Sequence, residues 1–133
     1  MIYQLRNVLM IPRILELAKV LDTDQKALET CLIRSLGRKD GVLYVDEKEG
    51  ALNGFVLATV EEFEGEDAVF IQSCVIKTDS NEKNVGHELL TRIRRWAADR
   101  GLTYMYFMTQ RSPKAFQKKY NFKYHTTVMR KRV

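Results

Sequence analysis

Apolar residues recur at helical spacing in the first third of the chain and at strand spacing in the middle third, and that switch of period sets the expected fold. Met1–Arg6 predicts a short strand. Ile11, Ile14, Leu15, Ala18 and Leu21 then line one side of a helix over Met10–Leu21. Asp22 followed by Gln25 suits the start of a second helix, whose stripe is Leu28, Cys31, Leu32 and Leu36, with Gly37 as its C-terminal stop. Val42–Asp46, Asn53–Phe63 and Ala68–Lys77 are rich in β-branched and aromatic residues and are separated by glycine-containing turns, so they read as an antiparallel meander. The nearly continuous apolar run in the third of these predicts a central strand covered on both faces. A long helix follows over Lys83–Arg100, burying Val85, Leu89, Leu90, Ile93, Trp96 and Ala97, and ends at Gly101. Leu102–Thr109 predicts a strand, Pro113–Tyr120 a short helix with proline in its first turn, and Phe122–Arg130 a last strand. The order β-α-α-β-β-β-α-β-α-β implies one α/β domain over residues 1–133, built on a mixed, mostly antiparallel sheet with helices on both faces.

Composition narrows this picture only modestly. A chain of 133 residues with 45% hydrophobic content suits one globular domain with a real core. No apolar run approaches the roughly 20 residues needed to span a bilayer, and Arg6 and Arg13 interrupt what would be the apolar part of a signal peptide. Cys31 and Cys74 lack metal-type spacing and read as reduced, packed thiols of a cytoplasmic protein, with no metal expected. The net charge of +5 favours anionic partners. Arg92, Arg94 and Arg95, and Arg130, Lys131 and Arg132, are each better read as solvated faces. A nucleic-acid partner is permitted but not favoured, because no aromatic-interleaved basic platform is present.

The turn Lys77–Leu90 carries the chemistry. It leads from a strand straight into a helix N-terminus, where unpaired N–H groups and the positive end of the helix dipole suit a phosphate. Gly86 falls in that first turn, where a missing side chain lets a ligand approach the backbone, and Lys83 adds a cation. Asn81 or Asn84 as a plain N-cap, and Gly86 as a packing residue, are the alternative readings.

Ile71–Lys77, the polar turn and Val85–Leu90 together resemble the cofactor-binding segment of the GNAT acyltransferases, whose Arg/Gln-x-x-Gly-x-Gly/Ala loop binds the pyrophosphate of acyl-CoA. Asn81, Asn84 and Gly86 stand at its signature positions, of which only Gly86 matches. Pro113–Phe122 is similar to the late helix of that family, with Phe116, Lys119 and Phe122 matching, and with Asn121 where a glycine is usual. The resemblance implies a cleft between Ala68–Lys77 and Leu102–Thr109. It implies a pantetheine arm along the backbone of Val75, Ile76 and Lys77, and a pyrophosphate on the amides of Glu82, Lys83, Asn84, Val85, Gly86 and His87. It further implies transfer of an acetyl group from acetyl-CoA to a primary amine of a small molecule or protein, by a monomer or homodimer. In many relatives a strand glutamate and a late-helix tyrosine move the protons; Gln72 and Gln117 stand there instead, and glutamine exchanges no proton at neutral pH.

Other candidates weigh less. Tyr120 offers a phenol one turn beyond Gln117, although an edge aromatic is the simpler reading. Glu61 and Glu62 point to opposite faces of their strand, so one can face the cleft. His87 sits in the helix's first turn, His125 is a strand histidine more often structural than basic, and Cys74 lacks any activating neighbour. The alternative to an enzyme is a catalytically silent binding or structural module of the same shape, with or without CoA.

Overall fold

The computed structural model describes residues 1–20, 24–77, 84–108, 117–118 and 120–132. Its elements run β1 (Ile2–Gln4), α1 (Ile11–Leu17), α2 (Gln25–Leu36), β2 (Gly41–Lys48), β3 (Ala51–Phe63), β4 (Glu66–Ile76), α3 (Val85–Asp99) and β5 (Met105–Phe107). The five strands form one sheet in chain order; every neighbour pair is antiparallel except β4 and β5, which run parallel. Short 3₁₀ turns at Val8–Met10 and Ala18–Val20 flank α1, so the predicted Met10–Leu21 helix is truly α-helical over a shorter span, with Pro12 in its first turn. The cap of α2 is Asp24, not Asp22: its carboxylate accepts from the Lys26 and Ala27 amides at 2.9 and 3.3 Å. Asp22 lies outside the described residues.

The meander is made by two tight turns. Glu49 and Gly50, and Glu64 and Gly65, all have positive φ, which is the twist that lets a two-residue loop join antiparallel strands. α1 and α2 cover one face of the sheet, packing Ile14, Leu28 and Leu32 against Leu43, Phe55 and Leu57. α3 covers the other, with Val85, Leu89 and Ile93 against Val56, Ala58 and Ile71. The strand buried most continuously is β3, from Gly54 to Thr59, and not β4 as the apolar run predicted. β3 is the middle strand beneath helices on both faces, whereas β4 loses its outer neighbour partway along.

Gly54 brings α3 close. A Cβ there would lie 3.0 Å from the Val75 carbonyl oxygen and 3.2–3.3 Å from the Val85 and Leu89 side chains. The glycine thus lets the first turn of α3 rest directly on the sheet. Trp96, expected in the core, is half-buried at the far end of α3, with the Arg100 guanidinium 4.5 Å above its ring. Gly101, at φ +72°, ends that helix.

The C-terminal segment departs most from expectation. The predicted Leu102–Thr109 strand pairs only over Met105–Phe107, and Thr109 lies outside the described residues. Residues 121–132 form no strand with any described residue, although Phe122–Arg130 was expected to be one. Tyr124, Val128 and Met129 within it are all exposed. Strand propensity alone does not make a strand; pairing with a neighbour does. Asn121 does adopt the left-handed backbone expected of it, at φ +58°. Among the described residues no helix is long and apolar enough to cross a membrane.

Candidate functional site

β4 and β5 pair through Val69–Met105, Phe70–Tyr106 and Ile71–Phe107, and among the described residues the pairing stops there. β4 continues to Ile76 with β3 on one side. The register against β3 also slips at this point: Leu57 faces Ser73 and Ala58 faces Ile71, so Gln72 is the extra residue of a β-bulge. A bulge bends and twists its strand, and here it does so where β4 parts from β5. Among the described residues, β4 therefore has an open edge from Gln72 onward.

The bulge also re-aims the Gln72 side chain. Ile71 packs under α3, while Gln72 reaches Thr59 on the opposite face of the sheet, its Nε2 donating to Thr59 Oγ1 at 2.9 Å. Thr59 is 2% exposed and donates to Glu61 Oε1 at 3.0 Å. Arg38 donates to the same Glu61 oxygen at 2.9 Å and grips Asp40 through two nitrogens. That bidentate pairing holds the Asp40 carboxyl below the usual carboxylate range and raises the arginine further. Glu61 is thus the member of the Glu61–Glu62 pair that shares a face with Gln72, and it is ion-paired.

At the other end of the open edge lies the N-terminus of α3. Asn84 stands at the N-cap position but its side chain makes no capping bond. Val85 and Gly86 are buried and His87 is exposed. Gly86 has a neighbour that sequence reasoning missed: a Cβ there would run into the Tyr120 hydroxyl and lie 3.1 Å from its Cζ. The Tyr120 ring also meets the His87 ring edge-on, with centroids 4.9 Å apart. The missing side chain at Gly86 therefore makes room for Tyr120, and Tyr120 is an edge aromatic seated on the start of α3.

The remaining candidates separate clearly. Val75 is buried, Ile76 half-buried, and Lys77 follows them with its amide donating to the Asn53 carbonyl at 2.7 Å. Glu82, Lys83 and Asn81 lie outside the described residues. Gln117 is exposed and forms no hydrogen bond with Gln72. His125 sits at the β3–β4 turn, 3.0 Å from Glu64, with its ring against Phe63 and Tyr106. Burial pushes the Cys74 thiol up to about 12, so it is neutral and a poor nucleophile at physiological pH. A surface depression of about 710 Å³ beside the start of β2, lined by Arg6, Trp96 and Arg100 among others, contains none of the predicted site residues.

Residues 4–122 match the family model described as the acetyltransferase (GNAT) family. No curated protein sequence matches the chain. Among solved structures, it is similar to the aminoglycoside acetyltransferase AAC(6')-Iy in complex with the bisubstrate analogue CoA-S-monomethyl-acetylneamine. That match has 19% identity, covers 100% of this chain and 98% of the other, and has a TM-score of 0.82. AAC(6')-IG from Acinetobacter haemolyticus has 13% identity, coverage of 100% and 97%, and a TM-score of 0.84. A predicted acetyltransferase from Clostridium acetobutylicum, solved with acetyl-CoA, has 14% identity, coverage of 99% and 96%, and a TM-score of 0.80. At these identities the likeness is one of fold.

Proposed function

Because the chain belongs to the GNAT family of acetyltransferases, we propose that it transfers the acetyl group of acetyl-CoA to a primary amine in one direct step. The observation that carries this reading is the parting of β4 from β5 at Ile71 and Phe107. It leaves an open strand edge with the Gln72 bulge at one end and the N-terminus of α3 at the other. The backbone of Val75, Ile76 and Lys77 would run beside the pantetheine arm. The first-turn amides of α3 would meet the pyrophosphate, since they point outward from the helix and lie at its positive end. Glu82 and Lys83 belong to the same proposal through their place in the preceding turn.

In the reaction the amine lone pair attacks the thioester carbonyl carbon, the carbon–sulfur bond breaks, and CoA leaves as a thiolate that takes up a proton. The new amide nitrogen sheds its proton. Gln72 would hold the amine against the thioester by hydrogen bonding, and water would remove the proton, because a carboxamide does not. Gln117 and Tyr120 are the proposed late-helix members of the site. The relative bound to an acetylneamine analogue makes amino-sugars natural first acceptors to try. A cytoplasmic location is proposed, where acetyl-CoA is drawn on.

The test is calorimetric titration with CoA, followed by thiol release from acetyl-CoA against amino-sugars, polyamines and peptides. Binding together with amine-dependent thiol release supports the proposal. Binding without turnover would favour the silent module that glutamine at both positions suggests.

A further inference from the structure

We infer that Thr59 and Glu61 are positioning residues that lock the Gln72 carboxamide with its oxygen presented to the acceptor amine, a conclusion that rests on the transfer reading above.

The inference follows from the direction of the hydrogen bonds. Glu61 is a carboxylate paired with Arg38 at 2.9 Å, and a carboxylate only accepts. The Thr59 hydroxyl, 3.0 Å from Glu61 Oε1, must therefore spend its one proton there. What remains to Thr59 is a lone pair, so the amide end that approaches it at 2.9 Å must be the donor, Nε2. The other end, Oε1, accepts no hydrogen bond from any described residue. An unconstrained glutamine presents either end with near-equal ease, because the two ends are almost the same shape. Here one direction is fixed by a chain that begins at a guanidinium, which cannot accept, and ends at a carbonyl oxygen, which cannot donate.

An amine approaching acetyl-CoA offers N–H groups to an outward oxygen, whereas an outward NH₂ would donate to the lone pair that must attack. Gln72 sits on the bulge; Thr59 reaches it across the strand pair from β3, and Glu61 acts on it through Thr59. The wall beside it on the same face is aromatic: Phe70 stacks on Tyr106 at 5.3 Å, and Phe63 meets both rings. Thr59 is the one buried hydroxyl on β3, in a stretch otherwise made of apolar side chains and glycine from Gly54 to Ala58.

The experiment combines nuclear magnetic resonance with kinetics on Thr59→Val, Thr59→Ser and Glu61→Ala. The first removes the hydroxyl at constant shape, the second keeps it, and the third removes the acceptor and frees the Thr59 proton to turn toward Gln72. In the parent, the Gln72 side-chain NH₂ should show one proton protected and shifted by its bond to Thr59. Thr59→Val and Glu61→Ala should erase that signature, and Thr59→Ser should retain it. Losing one neutral hydrogen bond of about 1 kcal/mol corresponds to roughly fivefold. The amine kcat/KM should accordingly fall about fivefold or more in the first and third variants. KM for acetyl-CoA should stay unchanged, and Thr59→Ser should recover to within about twofold. A Gln72 amide signal and an amine kcat/KM both indifferent to Thr59→Val would overturn the inference. If the amide is locked as described but the parent acetylates no amine, the transfer reading fails and the lock stands.

Discussion

Replacing Gln72 with glutamate puts a proton acceptor back where the reaction needs one, and the structure fixes how that carboxylate will behave. Gln72 Nε2 and Glu61 Oε1 lie 2.9 and 3.0 Å from the same Thr59 oxygen. A carboxylate at position 72 would therefore stand no more than about 6 Å from that of Glu61. Two like charges at that separation repel by about 3 kcal/mol in a medium of effective dielectric 20 and by less than 1 kcal/mol in water. Glu61 is 43% exposed and faces Arg38, so the lower figure applies. Repulsion disfavours the ionised form, and Thr59 has only one proton for two carboxylates. The new group should thus titrate somewhat above a free glutamate, in the direction of the neutral pH at which a general base works best. Such a base typically contributes on the order of 10²–10⁴-fold. The assay is kcat for acetyl transfer against pH. The parent rate should climb only with deprotonation of the amine itself. Gln72→Glu should add a limb that rises as its carboxylate loses its proton and then levels off, with at least about a hundredfold gain near neutrality. Adding Glu61→Gln removes the repulsion and should carry that limb to lower pH. The reasoning is refuted if Gln72→Glu still binds CoA as the parent does but is no faster at any pH.

Gly54→Val should be destabilising by about 1–3 kcal/mol, because its side chain must push back the Val75 carbonyl or the start of α3. A thermal melt reads the loss, and calorimetry should show weakened CoA binding as α3 lifts from the sheet. Cys74, held as a neutral thiol up to about 12, should make stability fall as pH rises above its ordinary value of 9.0. The unfolded chain ionises there and the folded one does not, giving a slope of at most about 1.4 kcal/mol per pH unit. Urea unfolding at pH 8 and pH 10 should show the decline in the parent and a flatter response in Cys74→Ala.

The parts of the fold written in local chemistry were legible from the sequence. The change of period at Val42, the glycines at the two hairpin turns and the stripe on α3 each act over a few residues. Residues 122–130 show the opposite case: Tyr124, Val128 and Met129 have strand character, but a strand also needs a neighbour, and that is a long-range property. Gln72 was identified by its place in the strand. Its bulge, which turns it toward Thr59, depends on how β4 registers against β3 and leaves no local mark. Glu61 was a candidate, yet its link to Gln72 crosses between strands through Thr59 and was invisible one residue at a time. Gly86 was singled out for close approach to its backbone, but that Tyr120 is the side chain packed over it could not be read from local sequence. Gly54 could have been suspected, because a glycine inside an apolar strand often marks a close backbone approach.

The central claim is that the opening beside β4 brings an amine and acetyl-CoA together for transfer. Its most direct test is mass spectrometry of the amine after incubation with the protein and acetyl-CoA, with thiol release followed in the same reaction. The account predicts an amine heavier by one acetyl group, formed in step with free CoA, at a rate that rises with pH as the amine loses its proton. A protein that binds CoA but leaves every amino-sugar, polyamine and peptide at the uncatalysed rate would contradict it.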